Sequence, residues 1–397
     1  MQTIVVGAGH AGLAVSKLLT ERGVEHAVLE RSRIASRWRD ERWDAFTIQA
    51  PNWCNWLPGW RYAGPDPDGF MGRDETVAYL EDYARSFDAP VREGIDVTAL
   101  DRASDGTWRL STSQGDMHAR SVVVATGPFQ TPRIPAWGSS LPAEITQLHS
   151  NGYRSPALIP PGAVLVVGSG QSGQQIAEDL LGHGRTVYLS TGSHVRSPRR
   201  YRGRDFYFWR ELGGWYERTA EDLGSGGGGP TLSGVNGGHD LDLCELGARG
   251  VTLLGGAVGY EGGKVVFRGD LKEVLAKGDA GYQGFVDWVE ERLDRFQGLY
   301  DDVTPREVFP DPPDPATELD LAAAGISTVI WATGFGVEFN RWIGLDIFSE
   351  SGLPVHRRGV TEVPGLLFIG LPKQHRIRSP FIRGADEDAR YLMKHLV

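Results

Sequence analysis

Thr3-Ile4-Val5-Val6-Gly7-Ala8-Gly9-His10-Ala11-Gly12-Leu13 is the stretch that decides the fold. A β-branched run predicts a strand, three glycines come directly after it, and apolar residues at 13–19 predict a helix. Gly7 permits a tight turn, Gly9 lets backbone N–H groups approach a pyrophosphate, and Gly12 lets helix and strand pack closely. The phosphates would sit on the positive end of that helix. The same construction recurs at Ala163-Val164-Leu165-Val166-Val167-Gly168-Ser169-Gly170-Gln171-Ser172-Gly173, with its helix face at 176–181. A chain that builds this turn twice is expected to hold two dinucleotides.

The strand beyond each turn separates the two units. The first unit continues into a strand at 26–29 that ends on Glu30. A carboxylate there accepts hydrogen bonds from a ribose 2′-OH and repels a 2′-phosphate, so the first nucleotide should be FAD or NAD rather than NADP. The second unit's strand, at 186–189, leads into Ser190, Thr191, Gly192 and Ser193 and then Arg196, Arg199, Arg200, Arg202 and Arg204. Hydroxyls and guanidinium forks suit a 2′-phosphate, which points to NADPH; a charge run is also the pattern of a solvated face. Ser190, Thr191, Arg199 and Arg200 are the candidate phosphate contacts, and the sequence does not choose between the arginines.

At 397 residues the chain is longer than an ordinary single domain. Its net charge of −10 disfavours nucleic acid or an anionic membrane as partner. The two cysteines, Cys54 and Cys244, fit neither a disulfide framework nor a metal-ligand spacing, and no metal is expected. No membrane span and no signal peptide are read, so the expected location is a reducing cytoplasm. The expected partners are a small-molecule substrate and O2, with a homodimer as an option.

Two strands, at 121–125 and 326–331, each run into Ala-Thr-Gly: Ala125-Thr126-Gly127 and Ala332-Thr333-Gly334. Small residues there let a second chain segment pass close to a bound nucleotide. Their placement around the second fingerprint predicts an α/β fold of two Rossmann-like dinucleotide-binding domains, each a three-layer unit with a parallel central sheet. Residues 1–155 and 336–397 would form the FAD domain, and 156–335 an NADPH domain inserted into it. Residues 224–229 should be a mobile loop, residues 75–87 an amphipathic helix, and residues 285–296 another helix.

The tryptophan- and proline-rich stretch 38–60 cannot be one regular element, and most of its rings are expected to pack as a satellite core. Gln49 and Asn52 are the catalytic candidates, because amides can bond a flavin or a peroxide without adding charge, and Trp53 would wall the ring. Loop hydrogen bonding is the competing role for both amides. Candidate contacts of the first nucleotide are Gly7, Gly9, His10, Ala11, Gly12, Glu30, Arg31, Arg37, Trp38, Gln49, Val97, Ala125, Thr126 and Gly127. Those of the second are Gly168, Gly170, Gln171, Ser172, Gly173, the four residues above, and Ala332, Thr333 and Gly334.

Taken together, these motifs resemble the class B flavin-dependent monooxygenases, the group of the flavin-containing monooxygenases and the plant YUCCA enzymes. Further segments carry the likeness: Gln49-Ala50-Pro51-Asn52-Trp53-Cys54, and Ser197-Pro198-Arg199-Arg200-Tyr201. The resemblance implies bound FAD, NADPH as reductant, a C4a-hydroperoxyflavin, and transfer of one oxygen atom from O2 to a small organic substrate. The group's connecting fingerprint is only half kept. His149 is present, but Ala143 and Ile145 replace its phenylalanine and glycine, and Tyr153 stands where Baeyer-Villiger enzymes carry tryptophan. That departure favours N- or S-oxygenation or hydroxylation over Baeyer-Villiger chemistry. A flavoprotein reductase that passes NADPH electrons to a non-oxygen acceptor is the alternative. Arg376, Arg378 and Ser379 are further candidates near cofactor or substrate, a solvated turn being the preferred reading.

Overall fold

The computed structural model describes residues 1–223 and 229–396; most of the glycine run at 224–229 lies outside the described residues. Ten strands form two five-stranded parallel sheets. In chain order they are β1 (Thr3–Val6), β2 (His26–Glu30), β3 (Val91–Glu93), β4 (Ser121–Val124), β5 (Thr146–His149), β6 (Ala163–Val167), β7 (Val187–Ser190), β8 (Thr252–Leu254), β9 (Ile326–Trp331) and β10 (Leu366–Phe368). The first sheet has the order β10-β4-β1-β2-β3 and the second β5-β9-β6-β7-β8.

Parallel sheets need cover on both faces, and their central strands accordingly read as unbroken apolar runs. One face of the first sheet packs on the helices His10–Glu21, Arg73–Arg85 and Gly384–Leu392, through Leu13, Leu80 and Leu392. The other packs on an antiparallel meander at 97–119, whose Trp108 is fully buried, and on Phe339. The second sheet is covered by the helix Gln171–Gly182 and, on its other face, by a meander of Ala257–Glu261, Lys264–Phe267 and Glu318–Asp320.

Two sequence expectations shift. β5 pairs with β9, so residues 146–149 belong to the second sheet although they lie before the expected boundary at 155. The reason is that a four-residue strand carries no marker of which sheet it will join. The helix expected at 285–296 begins earlier, as Leu271–Glu290, with a separate 3-10 turn at Leu293–Phe296. Gly278, Gly281 and Gly284 weaken its propensity on paper, yet its buried face of Leu271, Val274, Leu275, Phe285 and Val289 holds it.

Candidate active site

At the end of β1, Gly7 turns with φ +108°, and a Cβ placed there would lie 2.7 Å from Ala125 O. A Cβ on Gly12 would lie only 1.9 Å from Gly7 O. Both positions therefore demand glycine, one for its dihedral and one for its contact. Gly9 caps the helix His10–Glu21 in extended conformation without a side-chain cap, so the first-turn N–H groups keep their donors for an anion. Beside them the Glu30 carboxylate, buried at the end of β2, accepts from Ala8 N at 2.9 Å and Ser32 N at 3.1 Å.

The second turn repeats this almost atom for atom. Gly168 has φ +108°, with its notional Cβ 2.5 Å from Ala332 O, and that of Gly173 lies 1.8 Å from Gly168 O. Gly170 caps Gln171–Gly182, again with no side-chain cap. Ala125 and Ala332 do the same work in the two units: each places its carbonyl and its methyl group against the glycine turn.

The first turn opens onto a cavity of about 1010 Å³, which the start of the helix Gln171–Gly182 also reaches, while Gly168, Gly170, Gly173, Ala332, Thr333 and Gly334 do not line it. Gly7, Gly9, His10, Ala11, Glu30 and Ala125 line it, as do Arg31, Arg37, Trp38, Val97, Thr126 and Gly127. From the second unit Gln171, Ser172 and Gln175 reach it, and Gln49 lies on its wall. Among the described residues, five on this wall carry a buried side-chain atom with no hydrogen-bond partner: His10 Nε2, Thr47 Oγ1, Gln49 Oε1, Gln175 Oε1 and Arg383 Nη2. These donors and acceptors border a space of dinucleotide size beside uncapped helix amides and the Glu30 carboxylate. The residues fit a flavin dinucleotide at the first turn.

Burial lowers the His10 imidazole to about 4, with a backbone bond to Pro380 opposing the shift, so the ring is neutral at pH 7. The Arg42 guanidinium, lying against the touching rings of Trp38 and Phe46, is brought down by burial to about 10 and stays charged. Cys54 also reaches the cavity, but burial pushes its thiol far up, which keeps it un-ionised despite the Arg383 guanidinium beside it.

Several expected contacts are placed elsewhere. Asn52 and Trp53 do not line the cavity. The Asn52 amide donates to Asp66 O and accepts from Met71 N, a staple across its own loop, and Trp53 packs in an aromatic cluster around Trp209. Ser190 donates to Gly255 O and accepts from Ala257 N, while Thr191 donates to Leu254 O. Both hydroxyls are consumed in joining the end of β7 to the end of β8 and the chain just after it. Arg199, 1 % exposed, makes a fork to Asp205 and donates to Gln49 O, and Arg200 donates to the carbonyls of Gly237 and Gly238. Arg196 is buried between Asp242 and Asp279. Thr333 donates to Arg133 O, and Gly334 O accepts from His149 Nε2, so these two residues tie connecting segments. Arg376 and Arg378 pair with Glu217 and Glu387, a seam between the two units rather than a solvated turn.

The sequence reading missed Arg42, Gln175 and Arg383 on the cavity wall. Tyr207 and Phe381 sit there too. Arg383 is 3 % exposed, bound to Glu211 and stacked on Tyr216. Nothing local in its sequence signals this, because its partners lie over 150 residues away.

The family model described as pyridine nucleotide-disulphide oxidoreductase matches residues 4–203, just over half of the chain. The chain belongs to that family. It is an oxidoreductase related to the class B flavin-dependent monooxygenases. An uncharacterized CzcO-like oxidoreductase of Geobacillus kaustophilus is 31 % identical over 403 residues, covering 100 % of this chain and 98 % of that protein. The indole-3-pyruvate monooxygenase YUCCA1 of rice is 36 % identical over 185 residues, 46 % of this chain and 45 % of that protein. Among solved structures, a mutant flavin monooxygenase from Stenotrophomonas maltophilia shares the fold with a TM-score of 0.67 at 21 % identity, covering 100 % of this chain and 97 % of that one. No helix among the described residues is long and apolar enough to cross a membrane.

Proposed function

We propose that the protein is a cytoplasmic, FAD-dependent, NADPH-consuming monooxygenase that transfers one oxygen atom from O2 to a small organic substrate by N- or S-oxygenation or hydroxylation. The observation that carries this reading is the shared cavity: first-turn residues of both glycine cradles, His10 and Ala11 from one and Gln171 and Ser172 from the other, line a single space. Two nucleotides held there can meet. The second sheet is then read as an NADPH domain inserted between the two parts of an FAD domain.

Bound FAD would accept hydride and supply the activation of O2. The chain's own residues do the rest. The uncapped start of His10–Glu21 binds the diphosphate, and Glu30 takes the ribose hydroxyls. Gln49 offers its unpaired Oε1 as an acceptor, with its backbone carbonyl fixed by Arg199. Tyr207, Phe381 and Trp43 give the cavity apolar walls that exclude water. A disulfide-reducing role lacks its thiols: Cys54 and Cys244 are both buried, in separate core clusters.

The test is to purify the protein, record its flavin spectrum, and track NADPH oxidation under isotope-labelled O2 with panels of sulfides, amines and indoles. Label in the product, with little H2O2, is the expected result. NADPH oxidation that continues equally well without oxygen, given a quinone or similar acceptor, would establish the reductase instead.

A further inference from the structure

With Ser190, Thr191, Arg196 and Arg199 engaged inside the protein, and both terminal nitrogens of the exposed Arg200 taken by the carbonyls of Gly237 and Gly238, a 2′-phosphate on the second nucleotide needs another cation. We propose that Arg268, on the segment just beyond the strand Lys264–Phe267, is the residue that recognises it. The proposal rests on the NADPH reading above.

A chain of contacts sets the position. In a Rossmann unit the ribose lies at the end of the second strand, here Ser190 at the end of β7. The Ser190 hydroxyl bridges Gly255 O and Ala257 N, which flank Gly256. Arg268 lies on Gly256: a Cβ there would sit 2.1 Å from Arg268 Nη2, so only glycine leaves the guanidinium its place. Arg268 N also donates to Gly256 O. The loop after β7 is anchored to the cradle as well, because Ser169 Oγ donates to Ser193 O at 2.6 Å, which leaves Gly192 and Ser193 exposed at the same rim.

The guanidinium is presented rather than consumed. Asp270 holds its Nε at 2.6 Å while its other oxygen accepts from Gly256 N at 2.9 Å. Neither Nη1 nor Nη2 makes a hydrogen bond or ion pair among the described residues, and the side chain is 52 % exposed. An arginine fixed along its Nε edge with two free terminal nitrogens is a preorganised fork for a phosphate. Arg199 and Arg200, closer in sequence to the fingerprint, have no such free edge.

The experiment is calorimetric titration of the flavin-loaded protein with 2′,5′-ADP and with 5′-AMP, for the wild type, Arg268→Gln and Gly256→Ala. In Arg268→Gln, 2′,5′-ADP should bind about tenfold or more weakly, while 5′-AMP changes by less than about twofold. Gly256→Ala keeps the charge but displaces it, and should move in the same direction. Unchanged 2′,5′-ADP affinity in Arg268→Gln overturns the assignment, as does an equal loss for both ligands, which would mean a structural role. If the wild type does not distinguish 2′,5′-ADP from 5′-AMP, the NADPH reading itself fails and the assignment falls with it.

Discussion

The two glycine cradles are close copies in backbone and opposites in what surrounds them. Each turn has φ +108° at its first glycine, a forbidden Cβ within 2 Å at its third, and an uncapped twelve-residue helix behind it. Even the strand orders match, β4-β1-β2-β3 against β9-β6-β7-β8. At the end of the second strand they part: Glu30 lines the cavity, whereas the hydroxyls of Ser190 and Thr191 are taken by the end of β8 and the chain after it. The lesson is that the phosphate-binding turn is a local backbone device, while the choice of ribose is made by side chains that tertiary packing can claim for other purposes.

The hardest test of that equivalence is to fill each cradle in turn. Gly12→Ala drives a methyl group into a backbone oxygen that cannot move away without breaking the turn, and should cost about 4 kcal/mol or more. Protein recovered from it should be colourless. Gly173→Ala meets the same overlap in the other unit and should purify yellow, yet fail to bind NADPH by titration. If both come out colourless to the same degree, the two cradles are not separate sites.

Arg199→Met separates structure from coenzyme choice. Burial pushes the Asp205 carboxyl above its ordinary value, and the Arg199 fork is what opposes this. Removing the arginine leaves a buried carboxylate unpaired and frees Gln49 O, a loss of about 3 kcal/mol readable as a lower Tm. The ratio of NADPH to NADH affinity should stay as in the wild type. A drop in that ratio with Tm unchanged would restore Arg199 as a phosphate ligand.

These cases show what was legible in the sequence. The glycines, Glu30 and the paired Ala-Thr-Gly strands were readable because each answers a constraint set within a few residues: a dihedral, a close approach, a strand end. Arg199 was not, since an arginine beyond a strand looks the same whether a phosphate or Asp205 takes its fork. Asn52 and Gln49 were equivalent as amides until the loop folded; one then turned to Asp66 and Met71, and the other remained on the cavity wall. Arg383 and Tyr207 meet there only through long-range packing, and Arg268 reaches its place through a meander whose register no local pattern reveals.

A smaller effect belongs to Glu30. Glu30→Ala removes a charged acceptor from Ala8 N and the expected ribose partner, which should weaken FAD by about 2 kcal/mol, roughly 30-fold, measured by flavin titration. The matching change in the second unit, Ser190→Ala, should weaken 2′,5′-ADP less than Glu30→Ala weakens FAD, because its hydroxyl acts only through the Gly255–Ala257 segment beneath Arg268, and should lower stability.

The finest distinction lies at the first residue inside each helix, His10 against Gln171. Both tie the helix start to a distant backbone segment, His10 to Pro380 and Gln171 to Leu232, but only His10 titrates. Its folded value of about 4 lies below the unfolded 6.5, so the unfolded chain binds the extra proton between those limits. Stability from this group is therefore complete above pH 6.5 and declines as pH falls toward 4, by about 1.4 kcal/mol per pH unit. His10→Gln, which installs the second cradle's residue in the first, should remove that share of the acid limb. The comparison is best made as Tm against pH on flavin-free protein, where no diphosphate biases the imidazole. Parallel curves for variant and wild type between pH 6.5 and 4 would show that burial does not hold His10 neutral, and would erase this difference between the cradles.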